Sequence, residues 1–255
     1  MSPEVKRIGI GIGDDAKKVL ASEHAVAGRV HVICYCRLST VDRKTVSAGQ
    51  VTIAEHKEPE EALIADLMAG TIDAAVRGTL PSNSTLKELK RRTGADHLER
   101  IALLETVKGK KFLLAPVGVD EGWTVQEKLA LIKKAKNIAQ RFGLSQEMGI
   151  LSGGRLGDVG RHPQVDASMA DAELVARLSG ARHYEILIED AIEECGIIIA
   201  PDGISGNLIF RTLIFLGGGH GHGAPVLNID KIFVDTSRAS PDYTNALLLA
   251  ASLLD

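Results

Sequence analysis

The chain has 255 residues, a net charge of −3, 45% hydrophobic residues and only 4% aromatic residues. This size accommodates one large or two medium domains with an aliphatic core, and the weak negative charge disfavours nucleic acid as a partner. No apolar run approaches the roughly 20 residues of a membrane-spanning helix, and three cysteines cannot build a disulfide framework, so we expect a cytoplasmic protein without membrane contacts.

Apolar runs and amphipathic segments alternate along the first hundred residues. The short apolar runs predict strands at residues 8–12, 30–36, 51–54 and 72–76. Helices are predicted between these strands and after the last of them, at residues 15–27, 59–69 and 84–92. The helix at 59–69 should end at Gly70, because glycine readily takes the left-handed conformation that stops a helix.

The same alternation continues to the end of the chain. Further apolar runs predict strands at residues 101–107, 112–117, 148–151, 197–200 and 232–234. Thr124 and Glu127 form a capping box that opens one helix, and others are predicted at residues 166–178, from Ser205 and from Pro241. Repeated alternation of strand and helix is typical of an α/β fold with a parallel sheet covered by helices on both faces.

Two polar loops near the carboxyl end of the chain follow predicted strands and lead into predicted helices. The first loop, at residues 201–207, contains two glycines, and the second, at residues 235–240, begins after a glycine-rich segment and a strand. In open α/β sheets ligands bind at the carboxyl ends of strands, and the N–H groups at a helix start favour an anion. These loops therefore predict an anion-binding site.

The same tract resembles the C-terminal region of the phosphate acetyl/butyryltransferase family. That region runs from a strand through Pro-Asp, a loop ending in Gly-Asn, a helix, Leu-Gly-Gly and Asp-x-Ser-Arg to a final helix. The matching residues in this chain are Pro201, Asp202, Gly206, Asn207, Leu216, Gly217, Gly218, Asp235, Ser237 and Arg238. The chain is similar in the same way to the methanogen MtxX group, or methanogenesis marker protein 4, whose name implies a methyltransferase subunit.

The resemblance implies a two-domain α/β fold of the isocitrate/isopropylmalate dehydrogenase-like type, which is the phosphotransacetylase-like fold, with an interdomain cleft. The first domain would comprise residues 1–100 and 228–255, and the second domain residues 101–227. A small phosphate-bearing substrate would bind in the cleft, and the second domain would carry the contact of a homodimer.

The resemblance also assigns catalytic roles to Ser237, Arg238 and Asp242. In acyl transfer between phosphate and a thiol, an arginine holds the phosphate, a hydroxyl bonds the acyl oxygen, and a carboxylate takes the thiol proton. Asp242 matches the family's aspartate only if two residues are deleted ahead of it. From the residues alone, the alternative is a surface turn with Asp242 in the first turn of the last helix, where a negative charge is favoured.

Seven further residues are predicted to bind substrate or phosphate. Lys87 stands where the family has an arginine, and Arg77 stands where it usually has a serine, so the resemblance supports phosphate binding better than acetyl transfer. The alternative for the upstream residues is an ordinary polar loop with a helix cap. The predicted substrate-binding residues are Arg77, Thr79, Lys87, Asp202, Ser205, Gly206 and Asn207.

Two other motifs leave alternatives open. Gly9, Gly11 and Gly13 occupy alternate positions in and directly after the first predicted strand, as in nucleotide or S-adenosylmethionine sites, but no acidic residue ends the second strand. The alternative is a glycine-rich strand that runs into a helix. His220 and His222 lie in a glycine-rich segment that favours a turn over a metal site, and no metal is predicted.

Three functions are consistent with these observations. The first is a transferase that resembles the MtxX group, acts on a phosphate-bearing substrate and works with methyltransferase partner subunits. The second is a phosphate acyltransferase that moves an acyl group between phosphate and coenzyme A or a similar ligand. The third is a non-catalytic subunit that keeps the fold and a ligand site for regulation or assembly.

Overall fold

The computed structural model of the chain describes residues 6–26, 28–38, 40–41 and 51–254. The chain forms two compact units. The first unit comprises Met1–Asp96 and His222–Asp255, and the second unit comprises His97–Gly221. The domain boundaries near residues 100 and 227 stay predictions from the sequence.

Strands and helices alternate through most of the described residues. The strands are β1 (Arg7–Ile12), β2 (His31–Cys36), β3 (Val51–Glu55), β4 (Ala74–Val76), β5 (Ala102–Glu105), β6 (Lys111–Ala115), β7 (Met148–Ile150), β8 (Arg182–His183), β9 (Ile197–Ile199), β10 (His220–Pro225) and β11 (Ile232–Asp235). The helices are α1 (Ala16–Ala25), α2 (Pro59–Ala69), α3 (Ser82–Thr93), α4 (Val125–Arg141), α5 (Pro163–Ser179), α6 (Ile188–Glu194), α7 (Gly203–Arg211) and α8 (Thr244–Ser252).

The sheet of the first unit has the strand order β3-β2-β1-β4-β11-β10. Five strands of this sheet run parallel, as the alternation of strands and helices predicts: β3, β2, β1, β4 and β11. β10 pairs antiparallel with β11, so the predicted parallel sheet carries one antiparallel strand in this unit. α8 packs against β1, β4, β11 and α1, so the last helix of the chain lies on the N-terminal strands of this sheet.

The sheet of the second unit has the strand order β5-β6-β9-β7-β8. β6, β9, β7 and β8 run parallel, whereas β5 is antiparallel to β6 because the two strands form a hairpin. α4 and α5 pack against each other, α4 also contacts β6 and β9, and α5 also contacts β7 and β8. The loops after β6, β9 and β7 therefore lie at one edge of this sheet, the edge at which open α/β sheets bind ligands.

Local sequence signals predicted several element ends correctly. Glu127 N–H donates to the Thr124 hydroxyl at 3.2 Å and the Glu127 carboxylate accepts the Thr124 N–H at 3.3 Å, which confirms the capping box that begins α4. Gly70 has a φ of 74° and ends α2 in the left-handed conformation, as predicted. Both signals lie within four residues of the helix end that they define, so a local pattern suffices to detect them.

Two predicted helix starts and one predicted turn are wrong. α7 begins at Gly203 and not at Ser205, because the Asp202 carboxylate accepts the Ser205 N–H at 2.8 Å and so caps the helix earlier. The last helix begins at Thr244 and not at Pro241. The glycine-rich segment around residues 217–223 was predicted as a turn, but β10 begins within it at His220.

The core of both units is aliphatic, as the composition predicts. Fully buried isoleucines line β1 and β9, for example Ile8, Ile10, Ile197 and Ile198. Within the described part of the chain, no helix is long and apolar enough to cross a membrane. The same residues contain no group of three or more His, Cys, Asp or Glu side chains that could hold a metal ion.

Candidate functional site

In the first unit, the loops after β1, β4 and β11 are joined by direct hydrogen bonds. The Gly13 N–H donates to the Thr79 hydroxyl at 2.8 Å, and the Thr236 hydroxyl donates to the Gly78 carbonyl at 3.0 Å. These loops follow the carboxyl ends of parallel strands that are neighbours in the sheet. The structure therefore brings the predicted residue Thr79 to the same edge as the segment that carries Ser237 and Arg238.

The glycines at the end of β1 are required by close packing against the loop at 77–80. A Cβ on Gly11 would lie 2.1 Å from the Leu80 Cδ1, and a Cβ on Gly13 would lie 2.5 Å from the Thr79 carbonyl oxygen. Gly78 has a φ of 60°, and a Cβ there would lie 2.1 Å from the Gly11 carbonyl oxygen. Protein atoms fill the space that a nucleotide would need beside these glycines, so the structure favours the packing alternative for this motif.

Arg77 is 4% exposed and forms a buried ion pair with Asp235. Its Nε donates to Asp235 Oδ1 at 2.5 Å and its Nη1 donates to the Leu80 carbonyl at 2.7 Å. The bond to Asp235 joins the loop after β4 to the last residue of β11, and the bond to Leu80 stays within the loop after β4. They also mean that the positive charge of the predicted phosphate ligand Arg77 is balanced by a carboxylate of the same unit.

Ser237 and Arg238 lie in the loop between β11 and α8. The Ser237 hydroxyl accepts the Ala239 N–H at 3.2 Å, and the Ser237 carbonyl accepts the hydroxyl of buried Tyr243 at 3.1 Å. Burial raises the pKa of Tyr243 to about 12, so the phenol stays protonated and remains a donor at neutral pH. Arg238 is exposed, and its Nη1 lies 3.8 Å from the carboxylate of Asp14.

Asp242 is exposed and precedes α8, so the expectation that it lies in the first helical turn is wrong. Its Oδ1 accepts the Thr244 N–H at 3.0 Å, which satisfies an N–H group at the start of the helix. This hydrogen bond gives Asp242 a local structural role beside the catalytic role that the resemblance implies. Lys87 is exposed on α3, the helix that follows the loop at 77–80.

In the second unit, the predicted residues Asp202, Ser205, Gly206 and Asn207 form the first turn of α7 and its cap. The Ser205 N–H and hydroxyl both donate to Asp202, at 2.8 and 3.1 Å, and Asn207 Nδ2 donates to the Val117 carbonyl at 3.0 Å. The Asp202 carboxylate therefore occupies part of the helix start at which the sequence predicts an anion. The two negative groups would repel each other, so this turn is less suited to phosphate than the sequence predicts.

α7 also packs closely on the loop after β6. A Cβ on Gly206 would lie 1.9 Å from the Pro116 carbonyl oxygen, and a Cβ on Gly203 would lie 1.5 Å from the Gly118 carbonyl oxygen. The glycines that match the family pattern therefore serve helix packing in this unit. A residue pattern shared with a family can thus indicate a close backbone contact as well as a ligand contact.

Sequence reasoning missed two residues that shape the loop of Ser237. Asp235 was included in the matching motif without a role, and Tyr243 was given no role. Both are buried, and their partners in the structure, Arg77 and Ser237, lie 158 and 6 residues away along the chain. The only local signal was the position of Asp235 at the end of an apolar run, where a charged residue needs a partner if it is buried.

Comparisons with known proteins find similar chains and similar solved structures. A scan against models of protein families, by contrast, finds no match. "Putative methyltransferase mtx subunit X" of Methanosarcina barkeri is 44% identical over 255 residues, which cover 97% of this chain and 93% of that protein. The protein of the same name from Methanosarcina acetivorans is 45% identical, over 97% of this chain and 90% of that protein.

Solved structures show which fold this is. A branched-chain phosphotransacylase from Enterococcus faecalis V583 matches with a TM-score of 0.73 at 15% sequence identity, over 98% of this chain and 99% of that chain. The likeness confirms the predicted phosphotransacetylase-like α/β fold. At this level of identity it carries information on the fold alone, and the chemistry has to be argued from the residues.

Proposed function

Because the chain belongs to the mtx subunit X (MtxX) family, we propose that it is a transferase that binds a phosphate-bearing substrate at the loop of Ser237 and Arg238. The relatives are named as subunits of a methyltransferase, and the similar solved structure is named as a phosphotransacylase. Both names describe the transfer of a small group. Ser237 and Arg238 match the Asp-x-Ser-Arg motif of the phosphate acetyl/butyryltransferase family in type and order. The loop that carries them meets the loop after β4 at the ligand edge of a parallel sheet.

The availability of the Arg238 guanidinium is the observation that carries this proposal. Its contact with Asp14 is 3.8 Å long, and the Asp14 side chain is 93% exposed. An ion pair between two exposed groups contributes about 0–1 kcal/mol, so a phosphate can replace Asp14 at little cost. The planar guanidinium can then donate two parallel hydrogen bonds to phosphate oxygens, which a lysine cannot do.

Ser237 is suited to donate a hydrogen bond to the group that is transferred. Its hydroxyl oxygen accepts the Ala239 N–H, and this arrangement leaves the hydroxyl hydrogen able to point toward a substrate oxygen. The bond from Tyr243 to the Ser237 carbonyl fixes the loop before substrate arrives. A hydroxyl fixed in advance stabilises developing negative charge without the cost of reorganising the site during the reaction.

Replacing Arg238 by Gln should weaken the binding of phosphate-bearing ligands about tenfold to a hundredfold, because hydrogen bonds to a charged group contribute about 1.5–3 kcal/mol. The measurement is titration calorimetry of the purified chain with inorganic phosphate, acetyl phosphate and coenzyme A. Arg37→Gln is the matched control, since Arg37 is an exposed arginine of the same unit with a 3.7 Å contact to Glu58. Equal affinity in the Arg238 variant and the control would contradict the assignment of the phosphate to Arg238.

The kind of group that is transferred separates the first two functions. A phosphate acyltransferase would form acetyl coenzyme A from acetyl phosphate and coenzyme A, which is followed by the absorbance of the thioester. A methyltransferase would give no thioester but would move a labelled methyl group when the partner subunits are present. Ligand binding without either reaction would support the non-catalytic alternative.

Asp242→Asn should lower turnover about a hundredfold and leave ligand affinity unchanged, if Asp242 is the general base, because an amide cannot take up the proton. The melting temperature should not change, since the Asn carbonyl oxygen can accept the Thr244 N–H in the same way as Asp242 Oδ1. Asp242→Ala should lower both turnover and melting temperature. Unchanged turnover in the Asn variant would leave Asp242 with the capping role alone.

We also propose that the expected homodimer forms through α7. Ile204 and Leu208 lie four residues apart on one face of this helix and are 47% and 60% exposed. A contact with a second copy of the chain would bury both side chains, which gains free energy in proportion to the apolar area removed from water. Light scattering of the chain alone distinguishes a homodimer from a monomer that needs methyltransferase partner subunits.

A further inference from the structure

Three polar side chains of the second unit form a hydrogen-bonded chain that the proposed function does not use. Ser152 follows β7, His183 ends β8, and Glu173 lies in α5. The Ser152 Oγ is 3.0 Å from the His183 Nε2, and the His183 Nδ1 is 3.2 Å from the Glu173 Oε2. Ser152 is 2% exposed, the His183 side chain is 8% exposed and the Glu173 side chain is 66% exposed.

The direction of the hydrogen bonds follows from the carboxylate at one end. An ionised Glu173 can only accept, so the His183 Nδ1 carries a hydrogen and donates it. In the neutral ring the Nε2 then carries a lone pair and accepts a hydrogen bond, and the Ser152 hydroxyl is the donor that faces it. The Gly154 carbonyl, 3.0 Å from the Ser152 Oγ, and the Met169 Sδ, 2.9 Å from it, are the other acceptors within reach of that hydrogen. Donation to either of them would leave two lone pairs opposed between Ser152 and His183, so donation to His183 is favoured.

The backbone holds this chain of side chains at the ligand edge of the sheet. β7 and β8 run parallel with Ile150 opposite His183, which places Ser152 and His183 at the carboxyl ends of neighbouring strands. The Ser152 N–H donates to the Glu185 carbonyl at 2.7 Å, and Glu185 has a φ of 57°. A non-glycine residue in this left-handed conformation costs about 1–3 kcal/mol, and such strain is concentrated at functional sites.

We propose that Ser152 is the nucleophile of an acyl-transfer site, with His183 as its general base and Glu173 as the positioning residue of the imidazole. A hydroxyl, an imidazole and a carboxylate in this order are the groups that activate a serine on unrelated folds. The substrate class is an activated ester or thioester of a carboxylic acid. The site lies in the second unit, and the proposal does not rest on the roles of Ser237 and Arg238.

The reaction balances with water as the only co-reactant. The Ser152 Oγ forms a bond to the acyl carbon, and the bond from that carbon to the leaving oxygen or sulfur breaks. The Ser152 proton passes to the His183 Nε2 and then to the leaving alcohol or thiol. Water next attacks the acyl-serine and gives its proton to His183, and this proton then returns to Ser152 as the carboxylic acid leaves.

A fluorophosphonate probe tests the nucleophile directly, because it reacts with serines that a neighbouring base activates. The intact chain should gain one adduct, located at Ser152 by peptide mass spectrometry, and should release nitrophenol from p-nitrophenyl acetate. Ser152→Ala should abolish the adduct, and His183→Gln should slow its formation about a hundredfold, since base catalysis supplies a factor of that order. His97→Gln is the matched control, because His97 also contacts a carboxylate, that of Glu99, in the same unit.

The rate at which Ser152 is labelled in Glu173 variants tests whether Glu173 positions the imidazole. Glu173→Gln should slow the labelling of Ser152, and Glu173→Asp should restore part of the rate, while the melting temperatures of both variants stay close to that of the parent chain. A folded parent chain that gains no adduct at Ser152 would overturn the proposal. So would an adduct that forms as fast in the His183→Gln variant as in the parent, because the imidazole would then not activate the serine.

Discussion

Replacing Arg77 by Ala should lower the free energy of unfolding by about 3–5 kcal/mol, because the substitution leaves the carboxylate of Asp235 buried without its cation. Arg77 is 4% exposed, and its guanidinium also donates to the Leu80 carbonyl. Arg77→Lys should recover only part of the loss, since an ammonium cannot reproduce the planar set of donors that reaches both partners. Urea denaturation followed by circular dichroism measures the change.

Arg37→Ala provides the control for the loss of an arginine in the same unit. Arg37 lies 3.7 Å from Glu58, and both side chains are largely exposed, so this substitution should cost about 0–1 kcal/mol. The comparison also tests the sequence-based role of Arg77 as a phosphate ligand. An Arg77→Ala variant of unchanged stability that has lost phosphate binding would show that the ligand role outweighs the structural role.

The sequence predicted the elements whose signals are local. α2 has its predicted bounds, because Pro59 and Gly70 mark its ends within the segment itself. β8 and α6 were not predicted: a strand of two residues, Arg182–His183, and a helix of seven residues are too short for hydrophobic periodicity to identify. His183 was therefore absent from the candidate residues.

The candidate site was predicted in part because the resemblance follows the order of residues along the chain. It placed Ser237 and Arg238 together in one loop after a strand, and the structure has that loop. It could not assign the buried pair of Arg77 and Asp235, since these residues lie 158 positions apart and only the fold brings them together. The same limit explains why Asp202 was predicted to bind a ligand while the structure gives it the cap of α7.

The roles of the glycines could be assigned only from the structure, because a glycine pattern does not show what fills the space beside each residue. Gly11 and Gly13 face the loop at 77–80, and Gly203 and Gly206 face the loop after β6. In each case the missing Cβ makes room for another part of the chain. A glycine motif in an α/β fold therefore indicates a close approach, and a ligand is only one of the groups that can make it.

Replacing Gly203 by Ala should lower the free energy of unfolding by about 3 kcal/mol or more, because the new Cβ would lie 1.5 Å from the Gly118 carbonyl oxygen. A backbone atom cannot move aside as a flexible side chain does, so α7 would have to shift away from the loop after β6. Gly157→Ala is the matched control: a Cβ there meets no atom within 4 Å, and the same change should be neutral or slightly stabilising. Thermal and urea denaturation of both variants measure the difference, and equal stabilities would mean that α7 does not pack on Gly118 as described.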